Sequence, residues 1–89
     1  MLRIDIKDHA QKFLNRLQRK QAGQIGRKIL ALAHDPFPPD SKQLKGSMWR
    51  GADIGEYRIM YYVDADTVHI PLVGKRNDDD VYRRMRRMQ

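Results

Sequence analysis

Apolar and polar residues alternate at the start of the chain, where Leu2, Ile4 and Ile6 are separated by Arg3 and Asp5 and followed by Lys7. That period of two predicts a half-buried strand. Asp8 then stands where a helix N-cap belongs. Ala10, Phe13, Leu14 and Leu17 recur at helical spacing, with Lys12, Arg16 and Arg19 on the opposite face. A second helical run carries Ala22, Ile25, Ile29, Leu32 and Ala33. Its glycines, Gly23 and Gly26, lower helix propensity and are expected to permit close packing. Asp35-Pro36 and Pro38-Pro39 end the run, because proline restricts the residue before it and cannot donate to a helix ladder. The two helices are expected to form a hairpin.

Ser41 to Ser47, SKQLKGS, reads as a polar connector, and from Met48 the pattern becomes that of strands. Tyr57 to Val63, YRIMYYV, is β-branched and aromatic almost throughout; DADT is a turn; Val68, Ile70 and Leu72 resume an alternation that closes at Gly74. Pro71 removes a ladder donor and so predicts an edge or a bulge. Val81, Met85 and Met88 mark one face of a terminal helix. The order strand–helix–helix–strand–strand–strand–helix predicts one α+β domain over residues 1–89, a mainly antiparallel sheet with the helical hairpin on one face.

Composition narrows what such a domain could be. With 89 residues, the chain buries about 60% of the surface its unfolded form exposes, enough for one core. It has no cysteine, which excludes disulfides and thiolate metal sites. His9, His34 and His69 are scattered and match no metal-binding spacing, so no metal or cofactor is expected. No apolar stretch approaches the roughly 20 residues of a bilayer span, and MLRIDIK lacks the apolar block of a signal peptide. A cytoplasmic protein without membrane contact is the expectation. The formal net charge of +7 points to a polyanionic partner, of which nucleic acid is the commonest.

The charge pattern is sharpest in VGKRNDDDVYRR, Val73 to Arg84. Lys75 and Arg76 emerge from a strand, which would hold them on a rigid element. Asp78 to Asp80 precede a helix, where carboxylates complement free N–H groups and the positive end of the helix dipole. Tyr82 falls in the first turn and would approach Arg76. Together with LKG at Leu44–Gly46, WR at Trp49–Arg50 and GEYRIMYYVDADTV at Gly55–Val68, this segment resembles the RelE/ParE toxin superfamily, and its RelE-like branch in particular.

The resemblance implies a compact sheet with two helices on one side and a tight hetero-oligomer with an acidic, RelB-like antitoxin. It implies cleavage of mRNA in the ribosomal A site, without a metal, by attack of the RNA's own 2′-hydroxyl on the adjacent phosphate. Carried over by position, Arg58 matches a phosphate-contacting arginine, and Arg76 the arginine that stabilises or protonates the leaving oxygen. Tyr82 matches a tyrosine that stacks on or orients the target nucleotide. These three are the expected catalytic residues; Lys45, Arg50 and Lys75 are expected to bind RNA. Preplaced guanidiniums suit a transition state in which charge accumulates on phosphate.

One position departs from the family pattern. A second cation, proposed as general base, would fall at Ala52 or Asp53 in WRGADIGEYR. Lys75, Tyr82 and Glu56 are the alternatives, but an unperturbed lysine or tyrosine titrates near about 10 and would need a strongly lowered pKa. The departure keeps two other readings open: a ParE-like inhibitor of DNA gyrase, and an RNA-binding toxin homologue that does not cleave. His69 is a further candidate proton carrier, against a plain sheet-face role. Trp49 is expected to seal the core, and at least one of Tyr57, Tyr61 and Tyr62 to lie in it.

Overall fold

A computed structural model describes residues 1–77 and 80–88, the side chains of Asp80 and Met88 excepted. In chain order the elements are β1 (Arg3–Ile6), α1 (Asp8–Arg16), α2 (Arg19–His34), β2 (Ser41–Gln43), β3 (Arg50–Ile54), β4 (Tyr57–Asp64), β5 (Thr67–Lys75) and α3 (Asp80–Met88). The five strands form one sheet in the order β1-β5-β4-β3-β2, with β1 parallel to β5 and every other pair antiparallel. The expected α+β order is present, with one correction. The connector from Ser41 begins with a short strand, because Ser41–Gln43 pairs with Arg50–Ala52 across a turn containing Gly46 at φ +76°.

The apolar run of β4 is nearly continuous because both faces of the sheet are covered. Tyr57, Ile59, Tyr61 and Val63 point to α1 and α2, joining Ala10, Ile25, Ile29, Leu32, Val68, Ile70 and Val73 in the main core. Met60 and Tyr62 point the other way, where Trp49, Leu72, Val81 and Met85 form a second, smaller core under α3. Trp49 is buried, and Tyr57 and Tyr61 both lie in the main core, as expected. Tyr61 also donates its hydroxyl to the Pro36 carbonyl at 2.6 Å, tying the proline-rich segment after α2 to the sheet.

Two local expectations change. Asp8 is the first helical residue rather than the cap, since Lys7 occupies the N-cap with no side-chain bond to the helix. Gly23 and Gly26 do not serve close packing: a Cβ at Gly26 would meet nothing within 4 Å, and one at Gly23 would touch only Arg27 at 3.6 Å. The glycine that does serve it is Gly74, where an added Cβ would stand 2.1 Å from Val81 Cγ2, so α3 seats directly on the β5 backbone. The capping role expected of Asp78 to Asp80, and Met88 as part of the seam, lie outside the described residues and side chains.

Pro71 sits at a bulge. Met60 pairs with Leu72 and Tyr62 with His69, so β5 sets Ile70 and Pro71 opposite Tyr61 alone. An extra residue there needs no ladder donor from proline. The bulge also reverses which residues face which side. Before it, Val68 and Ile70 face the helical pair; after it, Val73 does, while Leu72 and Gly74 face α3. Among the described residues, no helix is long and apolar enough to cross a membrane.

Candidate RNA-binding cleft

The α3 side of the sheet carries an open cleft of about 220 Å³ between α3 and the β2–β3 edge. Its construction begins with the β3–β4 hairpin, which closes in a two-residue turn with Gly55 at φ +56°. A turn of that length places residues five apart directly opposite, so Asp53 faces Arg58. The two form a forked pair, Arg58 Nε to Asp53 Oδ1 at 2.6 Å and Nη2 to Oδ2 at 3.2 Å. The remaining nitrogen, Nη1, donates to the hydroxyl oxygen of Tyr82, and the guanidinium carbon lies 5.3 Å from the centre of the Tyr82 ring. The phenol's own proton is thereby left to point elsewhere.

Each neighbour has a structural reason to be there. Gly51, in β3, makes the floor of the cleft, since a Cβ would touch the Arg58 stem at 3.4 Å. Tyr82 follows Val81, whose contact with Gly74 fixes the height of α3 above the sheet. Lys42 and Lys45 reach the cleft from β2 and the loop after it. Arg76 follows the end of β5, where its N–H bonds to the Glu56 carbonyl at 2.8 Å and continues the ladder. Because of the Pro71 bulge, alternation carries Arg76 to the Arg58 side and Lys75 to the other.

Electrostatics agree with this placement. The hydrogen bond from Arg58 holds the Asp53 carboxyl below the usual carboxylate range, against the opposing effect of burial, and the fields of Arg58, Arg76 and Lys42 add to it. The same bond with Asp53 raises Arg58, whose side chain is only 20% exposed. Arg58 is thus a fixed, permanently charged group at the centre of the cleft.

The residues read from the sequence as functional therefore divide. Arg58 and Tyr82 are in direct contact, Arg76 acts on their partner Asp53, and Lys45 lines the same cleft. Arg50 and Lys75 do not join them. Arg50 lies on the opposite sheet face with Ala52, donates to Ser41 Oγ at 2.8 Å and covers the Phe37 ring at 5.0 Å. It braces the segment after α2, and its Nε is buried without a partner. Lys75 pairs in register with Tyr57 and lies beside Phe13, Arg16 and Leu17 of the α1 region. His69 is placed away from the cleft: it stacks on Tyr62 at 4.7 Å, and its Nδ1 lies 3.1 Å from Asp5, which also pairs with Lys7.

Asp53 is the residue that sequence reasoning undervalued, treating it as the place of a missing cation. The signal was present in the spacing. Once Gly55-Glu56 is taken as a two-residue turn, an acid at 53 and an arginine at 58 become a cross-strand pair. Among the described residues, no group of three or more His, Cys, Asp or Glu could hold a metal ion.

No family model matches the sequence, and no curated protein matches it in sequence. Solved structures do match in shape. The isolated RelE toxin of E. coli superposes with a TM-score of 0.76 at 20% identity, over 100% of both chains. The RelBE2 toxin–antitoxin complex of Mycobacterium tuberculosis matches with a TM-score of 0.75 at 22% identity, covering 84% of this chain and 98% of that one. The archaeal RelE–RelB complex of Pyrococcus horikoshii OT3 gives 0.75 at 23% identity, covering 84% and 94%. The sheet order, the helical pair on one face and the third helix over the other make this chain a small α+β domain with the fold of the RelE toxins.

Proposed function

We propose that this protein is the toxin of a type II toxin–antitoxin module, a metal-independent endoribonuclease that cleaves mRNA on the ribosome. The observation that carries the proposal is the contact between Arg58 and Tyr82 in a cleft lined by Lys42 and Lys45, with the field of Arg76 reaching its Asp53. The cleavage step needs no cofactor. The 2′-oxygen attacks the adjacent phosphorus, a P–O2′ bond forms as the P–O5′ bond breaks, and the products are a 2′,3′-cyclic phosphate and a 5′-hydroxyl. Arg58 and Arg76 stabilise the charge that builds on the phosphoryl oxygens. Fixed donors of this kind are each worth about 10²–10³ in rate. A guanidinium does not deprotonate in proteins, so the proton taken up by the leaving oxygen comes from the Tyr82 hydroxyl or from water. The 2′-hydroxyl proton passes to solvent.

The partner expected for such a surface is an acidic antitoxin segment that folds across the cleft and neutralises it. The matching structure from Mycobacterium tuberculosis is a toxin–antitoxin complex, and that from Pyrococcus horikoshii is a RelE–RelB complex. Induced expression of this chain alone should arrest growth and produce new mRNA 5′ ends at codon-defined positions, with both effects lost in Arg58→Ala. Arrest with intact messages and blocked supercoiling would identify gyrase as the target instead. A second reading, an RNA binder that does not cleave, is favoured by one specific observation: Asp53 neutralises the central arginine. Salt-sensitive binding to ribosomes with no new 5′ ends would establish it.

A further inference from the structure

The Arg58 fork is already occupied. Nε and Nη2 present the two parallel donors that guanidinium groups use to grip phosphate, and both are given to the two oxygens of Asp53. Nη1 is committed to Tyr82. Lys42 and Arg76 direct their fields at the same carboxylate. An anion of the chain's own therefore sits where the cleft's cations converge. The Asp53 side chain is 39% exposed against 20% for Arg58, so solvent lies beside the carboxylate, and Arg58 keeps a second partner in Tyr82.

We propose that Asp53 is an internal competitor for the phosphate site, a latch that a substrate phosphate must displace before Arg58 can act. The inference rests on the reading of the cleft as a phosphate site and adds its regulation. A single phosphate gains one forked contact and loses another, so it enters weakly. A strand already held by Lys45, Lys42 and Arg76 brings its phosphate at high effective concentration and displaces the carboxylate. The latch makes the site selective for an RNA strand gripped at several points over free mononucleotides or stray anions. It also explains why an acid occupies a position where a cation would be expected.

The test compares wild type with Asp53→Asn, an isosteric change that removes the competing charge. Binding of inorganic phosphate is followed by NMR, and binding of an uncleavable 2′-O-methyl RNA oligonucleotide by fluorescence anisotropy. The variant should bind both at least about tenfold more tightly, with the larger gain for phosphate, and the double variant Arg58→Ala/Asp53→Asn should lose the gain. Equal or weaker binding by Asp53→Asn overturns the latch. So does an equal gain in Asp64→Asn, an exposed β4 position that makes the same change in net charge. If Asp53→Asn does not fold, the wild-type Asp53 carboxyl carbon is followed during phosphate titration, and an unmoved resonance overturns the proposal. Cleavage is scored separately on translating ribosomes. Tighter phosphate binding without cleavage by any variant removes the nuclease reading and leaves the latch standing.

Discussion

Gly74→Ala tests the link between packing and site, because local propensity and tertiary contact predict opposite signs. In a strand, alanine is favoured over glycine by about 0.5–1 kcal/mol, since it has less backbone freedom to lose. Here the new Cβ would lie 2.1 Å from Val81 Cγ2, whereas carbon atoms pack at about 3.5–4.0 Å. Val81 is β-branched and buried, so it has no free rotamer into which to retreat. The helix must move by about 1.5 Å, estimated from that packing distance. Overpacking of this sort costs about 1–3 kcal/mol, so contact outweighs propensity and the variant should lose about 1–2 kcal/mol. For a chain of this size that lowers Tm by roughly 5–15 °C.

The helix carries Tyr82 next to Val81, so the same shift should separate Tyr82 from Arg58 and reduce any cleavage by about 10²-fold. Chemical denaturation, hydrogen exchange of the α3 amides and cleavage assays on one protein sample supply the three readouts. Val81→Ala removes the obstructing methyl, and in the double variant with Gly74→Ala the total loss should fall short of the sum by at least about 1 kcal/mol. A Gly74→Ala protein as stable as wild type, with unchanged protection in α3, would refute the account of how the helix is seated.

Other expectations follow from single contacts. Lys45→Ala should weaken RNA binding and lower the salt slope by about one, leaving Tm nearly unchanged. Arg50→Ala should instead reduce stability, seen by thermal melting, because Ser41 and Phe37 lose their brace. Ala65 turns the β4–β5 hairpin at φ +54°, a left-handed conformation that costs a non-glycine residue about 1 kcal/mol. Ala65→Gly should raise stability by about 0.5–1 kcal/mol in denaturant unfolding. Asp53 has a folded pKa below its unfolded value of about 3.9. Its ionised form therefore contributes stability that is present above that value and lost as pH falls through the folded one. Wild type should lose stability relative to Asp53→Asn below about pH 4 and keep a constant difference from pH 5 to 8, measured by denaturant unfolding across that range.

Periodicity and punctuation were enough to place both helices of the pair, the β4 and β5 strands and the terminal helix. Each of these buries a face with its own residue spacing, and Asp35-Pro36 after α2 and the DADT turn after β4 mark two of the stops. The positive charge was equally legible, as was the placing of Arg58 on a strand, Tyr82 on the last helix and Arg76 just past the end of β5. The β2 strand was not, because SKQ carries no apolar alternation and pairs only at the sheet's edge. The fate of the remaining cations was hidden for a different reason. Adjacent residues of a strand face opposite ways, so one extra residue decides which of Lys75 and Arg76 falls on the Asp53 side of the sheet. That residue is the bulge at Pro71, whose pairing opposite Tyr61 depends on two strands at once. Arg50 was likewise assigned by parity, turned under the sheet with Ala52 rather than outward with Gly51 and Asp53. Side-chain type and local spacing determined which charges this protein carries and on which elements; which of them meet was settled by register and helix seating, properties that arise only when distant segments pack together.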